Sequence, residues 1–304
     1  MIDAARRTGA RLRGGSARRY GAGRFGWAAA VAITATAIGI QIVYPLTSGS
    51  TRDVVTILVV AASATACLVH AATTLGPRAA LGMLIAVAGI GGISEAIGLA
   101  TGLPFGCYTY AAERLGPAVA GVPLVVAAAW WSGFYPIAWI THRTIRRRLL
   151  RIPVAAAAMV GWDLYLDPQM VADGMWIWCS TAPTLPGLPN IPVTNFLGWL
   201  VVATVIAVAI DRAPIPSIHG ADRTPPGRDD IVPVVLFCWT WLGSALAHAV
   251  FLDTAAMGWS WAYGLVGMAV AAPALLRLWP RGHRPGRPTS RDDDPAGRMT
   301  GCPT

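Results

Sequence analysis

Apolar residues fall along this chain in blocks about twenty residues long, separated by short polar or turn-rich segments. The blocks recur eight times, around 27–46, 54–74, 79–101, 118–141, 152–171, 192–210, 231–252 and 259–279. A helix that crosses the hydrocarbon core of a bilayer needs ~20 such residues. The pattern therefore predicts an all-α polytopic membrane bundle of about eight transmembrane helices. Turn-rich connections such as Ser48-Gly49-Ser50 and Pro225-Pro226-Gly227 leave no room for a soluble domain between the blocks. The first block exceeds a signal-peptide core and lacks a clear cleavage site, so it reads as an uncleaved span. The expected organisation is an Arg-rich arm over 1–26, a bundle over 27–280, and a disordered tail over 281–304. Arg, Asp, Pro and Gly dominate that tail, with too little apolar surface to fold.

Composition agrees: 55% of the 304 residues are hydrophobic and 13% charged, where a soluble domain carries about 25% charged. The net charge of +9 would suggest nucleic acid in a soluble chain. Here almost every Arg sits in a tail or a short loop, where topology and lipid headgroups account for it, so no nucleic-acid partner is read. With eight spans, the N-terminal arm, Arg78, the His142–Arg151 loop, the Arg212/Arg223/Arg228 loop and the tail from Arg277 all fall on one side. By the positive-inside rule that side is cytoplasmic, with both termini there and the chain in the plasma membrane. The opposite loops carry Arg52 and Arg114 against Asp53, Glu113, Asp167, Asp173 and Asp253. The cysteines Cys67, Cys107, Cys179, Cys238 and Cys302 are scattered with no CxxC or Cys/His cluster. That argues against a structural metal and against a disulfide framework, although Cys107 and Cys179 fall on the same membrane side.

Against this background the buried carboxyls are the informative residues. Glu95 lies within 79–101 and Asp163 within 152–171, where a charged group costs about 3 kcal/mol on insertion scales and is by default a functional-site hypothesis. Gly91, Glu95, Gly98 and Gly102 fall at i, i+4, i+7 and i+11 on one helix face. The glycines suit either close helix packing or a smooth trough for a long thin ligand. Asp163 and Asp167, four apart, share a face. Two carboxyls held close do not both ionise easily, so one holds its proton and is available as an acid. Asp167 also reads as a helix-end residue before Pro168, facing interfacial water. With the orientation above, Glu95, Asp163, Asp167, Asn195 and His248 lie in the non-cytoplasmic halves of four spans, where one site can form from them.

The segments Leu103–Tyr110 and Gly174–Trp178 read as short aromatic interfacial pieces, part belting and part pocket lining. Trp131, Tyr135 and Trp139 stack at i, i+4 and i+8, the spacing of a packed stripe. His248 shares a face with Trp241, and Asn195 with Trp199. His70 falls at a cytoplasmic span end, where it is expected to meet headgroups. No HExxH, GxSxG, Walker or dinucleotide pattern is present, which removes the cofactor-heavy enzyme classes.

The ordered set Glu95…Gly102-x-Pro104-Phe105-Gly106-x-Tyr108-x-Tyr110, Leu115-Gly116…Gly121-Val122-Pro123…Trp130, Asp163…Leu166-Asp167-Pro168…Gly174-x-Trp176-x-Trp178…Pro189…Asn195-Phe196-x-Gly198-Trp199 resembles the CruF-type carotenoid biosynthesis family over roughly residues 30–275. The resemblance implies a cofactor-independent membrane hydratase. It would add water to the terminal double bond of an acyclic C40 or C50 carotenoid drawn from the lipid phase, with other carotenoid enzymes as neighbours. Asp163, Glu95, Asp167 and His248 would be catalytic. Gly98, Gly102, Phe105, Tyr108, Tyr110, Trp130, Trp176, Trp178, Asn195 and Trp199 would line the substrate, with no metal. Two other classes remain: a proton-coupled transporter built on the same carboxyls, or a non-catalytic scaffold for carotenoid enzymes.

Overall fold

The computed structural model describes residues 24–213 and 227–278. Most of the Arg-rich arm, Arg223 and the 281–304 tail lie outside the described residues. Among the described residues, seven helices are long and apolar enough to cross a membrane: α1 (Arg24–Leu46), α2 (Gly49–Thr74), α3 (Pro77–Thr101), α5 (Leu124–Thr144), α6 (Arg148–Ala172), α7 (Val193–Arg212) and α8 (Arg228–Phe251). α4 (Ala112–Leu115) is a single turn. The expected eighth span is not one continuous helix. It divides into α10 (Ser260–Ala269) and α11 (Ala272–Arg277), after a turn α9 (Thr254–Met257). Pro273 stands in the first turn of α11, where a missing N–H and a fixed φ favour a new helix start over continuation. The pair still runs the depth of the bundle. Ser260 meets His248 at one end, and the Arg277 guanidinium donates to the Thr144 carbonyl at the other, 3.0 Å away.

Local chemistry sets the remaining boundaries. Pro77 opens α3, and Gly102, in the left-handed region at φ 76°, closes it with its N–H on the Gly98 carbonyl. The block expected to begin near 118 starts instead with a hairpin, β2 (Ala118–Val119) and β3 (Val122–Pro123), before α5. Pro168 does not end α6, which continues to Ala172. A buried bundle helix tolerates proline because its neighbours take up the freed carbonyl.

α5 is the central helix, with 61% of its most apolar stretch buried against 22% in α1 and in α8. Its aromatic stripe is packed as the spacing predicts, Trp131 on Tyr135 at 4.9 Å and Tyr135 on Trp139 at 6.4 Å. α6 and α10 cross backbone to backbone: a Cβ on Gly161 would come within 2.4 Å of the Gly267 carbonyl carbon. This is the close approach that small residues give membrane helices.

Between the helix ends at Thr101, Ala172 and Val193, β1 (Tyr108–Tyr110) pairs antiparallel with β4 (Trp176–Trp178), and β5 (Thr184–Leu185) with β6 (Leu188–Pro192). Cys107 and Cys179 form a disulfide beside the β1–β4 ribbon. This corrects the expectation drawn from the scattered cysteines: the ribbon brings together two residues 72 apart in sequence. His70 is corrected as well. It is fully buried between the Tyr135 hydroxyl (2.6 Å) and the Asp229 carbonyl (2.7 Å), because the start of α8 covers the end of α2.

Candidate active site

The ribbon is the roof of the site. Alternate residues of a strand point the same way, so the sequence Tyr108-Thr-Tyr110 opposite Trp176-Ile-Trp178 presents four aromatic rings to one side. Tyr108 pairs with Trp178 and Tyr110 with Trp176, ring centroids 5.0 and 5.7 Å apart, while Ile177 faces outward and is 66% exposed. Beneath the rings lies a cavity of about 520 Å³, within the ~300–1000 Å³ usual for small-molecule sites.

Glu95 reaches this cavity from the buried face of α3. Its Oε2 accepts hydrogen bonds from the hydroxyls of Tyr108 (2.5 Å) and Tyr110 (2.8 Å), and its Oε1 from the Trp130 indole (3.0 Å). Burial, and then the nearby charge of Glu95, pushes both phenols well above the usual tyrosine range, so both remain O–H donors.

The second carboxyl group comes from α6. Asp163 and Asp167 share a face as their spacing predicts, and one amide bridges them: Asn195 Nδ2 donates to Asp163 Oδ2 (2.9 Å) and to Asp167 Oδ2 (2.7 Å). The Trp176 indole donates to Asp167 Oδ1 (2.5 Å), and Asp163 Oδ1 is buried with no hydrogen-bond partner among the described residues. Asp167 is 1% exposed, so it is not an interfacial helix end. Among the described residues, no Arg, Lys or His hydrogen-bonds to any of the three carboxyls. No cluster of His, Cys, Asp and Glu among them is arranged to hold a metal ion.

Of the residues singled out from sequence, Glu95, Phe105, Tyr108, Tyr110, Trp130, Asp167, Trp176, Trp178, Asn195 and Trp199 all line this one cavity. Trp130 and Trp199 stack at 3.9 Å and form part of its wall. Asp163 does not line it and sits behind the Asn195 amide. Gly98 and Gly102 do not line it either. A Cβ on Gly98 would come within 2.9 Å of Phe105, and one on Gly198 within 2.7 Å, so two glycines from α3 and α7 form a notch that seats the Phe105 ring. The packing reading of the α3 glycines therefore holds at Gly91 and Gly98, whose faces are filled by Trp130 and Phe105. His248 is also set back: Nδ1 lies 2.7 Å from Ser260 Oγ and Nε2 3.3 Å from Gln169 Oε1. It meets the cavity through Gln169, which lines it.

The rest of the wall is not among the residues expected from sequence. It comprises Trp162, Tyr165 and Gln169 of α6, with apolar residues from α1, α2 and α8 and the Gln41–Trp239 pair. Gln41 and Gln169, like Glu95, are polar residues inside apolar blocks, and that signal was available in the sequence. Above this wall the outer helix ends are tied by charge. Arg52 pairs with Asp173 and Arg114 with Asp53, each at 2.7 Å, and the Tyr44 hydroxyl donates to Asp173. The hydrogen bond from Arg114 to Asp53 raises the guanidinium above its usual range.

A family model described as “Carotenoid biosynthesis protein” matches residues 53–267. Among curated proteins, the bisanhydrobacterioruberin hydratase of Haloarcula japonica is 27% identical over 155 residues, 47% of this chain and 49% of that protein. The chain thus spans about half the length of the curated relative it matches. No solved structure matches.

Proposed function

Since the chain belongs to the carotenoid biosynthesis protein family, we propose that it is a hydratase that adds water to the terminal isoprenoid double bond of an acyclic C40 or C50 carotenoid. The observation that carries this reading is the cavity itself, where Glu95 and Asp167, held only by neutral donors, open onto one aromatic, otherwise apolar space. The name of the Haloarcula relative points to the same chemistry.

Hydration of an unactivated alkene calls for a proton donor, a wall that steadies a tertiary cation, and a base for the attacking water. The Asp163–Asn195–Asp167 unit supplies the proton. Two carboxyls bridged by one amide share a single negative charge more easily than two, and Asp167 is the member that faces the cavity. Glu95, which accepts hydrogen bonds from Tyr108, Tyr110 and Trp130, takes the part of the base. The proton goes to the CH carbon of the terminal (CH3)2C=CH unit, whose π pair forms the new C–H bond and leaves a tertiary cation. The aromatic lining, with Trp176 and the Trp130–Trp199 stack, steadies that cation, a desolvated cation–π contact contributing up to about 2 kcal/mol. A water oxygen bonds to the cation, Glu95 takes the surplus proton, and the product is a tertiary alcohol. The proton then returns to the aspartate pair across the cavity. His248 is a positioning residue that orients Gln169 toward the water. No electron is gained or lost, so the residues and one water account for every atom.

In the membrane, the Arg-rich face would be cytoplasmic and the roof extracytoplasmic. The disulfide in the roof supports this orientation, because disulfides persist on the oxidising side. The test is expression of the chain in a host that makes lycopene or bisanhydrobacterioruberin, with chromatography and mass analysis of the pigments. A product heavier by one water per modified end is expected. A folded, membrane-inserted protein that leaves both pigments unchanged overturns the reading.

A further inference from the structure

We propose that the cavity takes its substrate sideways from the bilayer, through a mouth between α1 and α8, and that the polyene stem rests in this mouth while an end group reaches the carboxyls. The inference rests on the hydratase reading and adds the route and the binding surface for the stem.

Four residues belong both to the cavity wall and to the outer surface. Ile42 and Leu46 of α1 are 56% and 81% exposed, and Leu246 and Phe251 of α8 are 55% and 59% exposed, yet all four line the cavity. A side chain on both surfaces marks an opening. The carboxyl end is closed by contrast, with Glu95 4% and Asp167 1% exposed beneath the roof. The mouth is therefore formed by residues other than the acids, and all four of them are hydrocarbon.

α1 and α8 are the least buried of the seven long helices. They are joined at the Arg-rich end, where the Trp27 indole donates to the Arg228 carbonyl (3.0 Å), and again where the Trp239 indole donates to Gln41 Oε1 (2.8 Å). Beyond Gln41 the mouth residues follow on both helices, so the Gln41–Trp239 bond is its sill. α8 is π-helical over Trp239–Gly243 and again over Ala247–Phe251, the stretch that borders the mouth. Wide turns of this kind occur mostly as single-turn bulges inside α-helices and are frequent at functional sites.

The occupant follows from the surroundings. An opening rimmed with Ile, Leu and Phe on lipid-exposed helices admits hydrocarbon more readily than water or ions. It is continuous with the space in front of Glu95 and Asp167, so a long polyene can keep its stem in lipid while its end is desolvated at the acids.

The experiment uses the full chain in lipid nanodiscs supplied with lycopene. Leu246→Trp and Ile42→Trp each place a bulky ring in the mouth without touching the carboxyls. Ile85→Trp places the same ring on a lipid-facing position of α3, outside the cavity lining. Conversion per folded molecule is expected to fall tenfold or more in the two mouth variants and to stay at the wild-type level in Ile85→Trp. As a second readout, Asp167→Asn protein should retain lycopene through purification, and adding Leu246→Trp should abolish that retention. Leu246→Phe serves if the Trp variants do not fold. Mouth variants that convert and retain lycopene like the wild type overturn the lateral route and leave the hydratase reading intact. Wild-type protein that yields no hydrated product overturns the hydratase reading instead.

Discussion

Two buried polar clusters lie at opposite ends of the bundle. At the Arg-rich end, Asp230 receives the Arg143 guanidinium through two hydrogen bonds of 2.8 Å and the Trp139 indole at 2.9 Å, and His70 packs on Trp139 at 4.9 Å. At the roofed end, Glu95, Asp163 and Asp167 are held by tyrosines, indoles and one amide, and Glu95 and Asp167 open onto a cavity. A buried carboxylate paired with a guanidinium is neutralised and geometrically fixed. Three carboxyls without a cation are poorly compensated for stability, and membrane proteins keep such groups where they serve a site. Charge pairing therefore separates the cluster that fastens α5 to α8 from the cluster that opens onto the cavity.

Substitution at Asp167 tests this division most severely. Asp167→Asn keeps the shape and removes the acid, and the expected loss of hydrated product is about 100-fold or more, the usual share of general acid catalysis. Glu95→Gln should lose a similar amount, with thermal unfolding in detergent unchanged or raised in both. A variant that unfolds early and keeps its turnover would make the acids structural and erase the contrast.

The reverse outcome is expected at the other end. Asp230→Ala leaves the Arg143 charge buried without its carboxylate, and breaking such a pair costs about 3–5 kcal/mol. Folded yield and melting temperature should fall, while conversion per folded molecule stays near the wild-type level. A loss of turnover without a loss of stability would move this cluster into the site.

Much of the roofed cluster was legible because its rule is local. Glu95 and Asp163 stand out as single acids in apolar blocks, Asp167 falls on the face of Asp163, and Leu103–Tyr110 and Gly174–Trp178 stand out as aromatic pieces at span ends, although the pairing that brings their four rings together does not. What was illegible depended on partners far along the chain. The Cys107–Cys179 bridge needs β1 and β4 in register. Asp163 is set back because α7 inserts Asn195 between it and the cavity. Gly98 is filled by a ring from the loop that follows its own helix, and His70 is buried because α8 begins over the end of α2. Pro168 and Pro273 show the same limit from another side. Both are prolines in apolar blocks, yet α6 runs through the first and the last block breaks at the second.

The disulfide sharpens the comparison from the side of the roof. Cys107→Ser frees the ribbon that carries both tyrosine donors and both indoles. Closing a loop of 72 residues is worth about 2–4 kcal/mol. The expected result is a lower melting temperature together with reduced conversion, because the roof holds the donors to Glu95 and Asp167. Loss of stability alone, with conversion per folded molecule unchanged, would mean that the ribbon positions nothing the reaction uses.

Tyr110→Phe is the mildest change and discriminates between an ionised and a neutral Glu95. The substitution removes one of two hydroxyls on Oε2 and leaves Tyr108 and Trp130 in place. If Glu95 works as a carboxylate base, the lost donor weakens the stabilisation of its charge. A net effect of about 1 kcal/mol corresponds to roughly fivefold in rate, and conversion should shift by about that factor with binding of lycopene unchanged. Asp230 offers the control through Trp139→Phe, which removes one neutral donor from a carboxylate that keeps its guanidinium. Stability should respond there and turnover should not. Equal, small stability losses in both variants, with turnover untouched in Tyr110→Phe, would show that the donors around Glu95 serve packing at both ends alike.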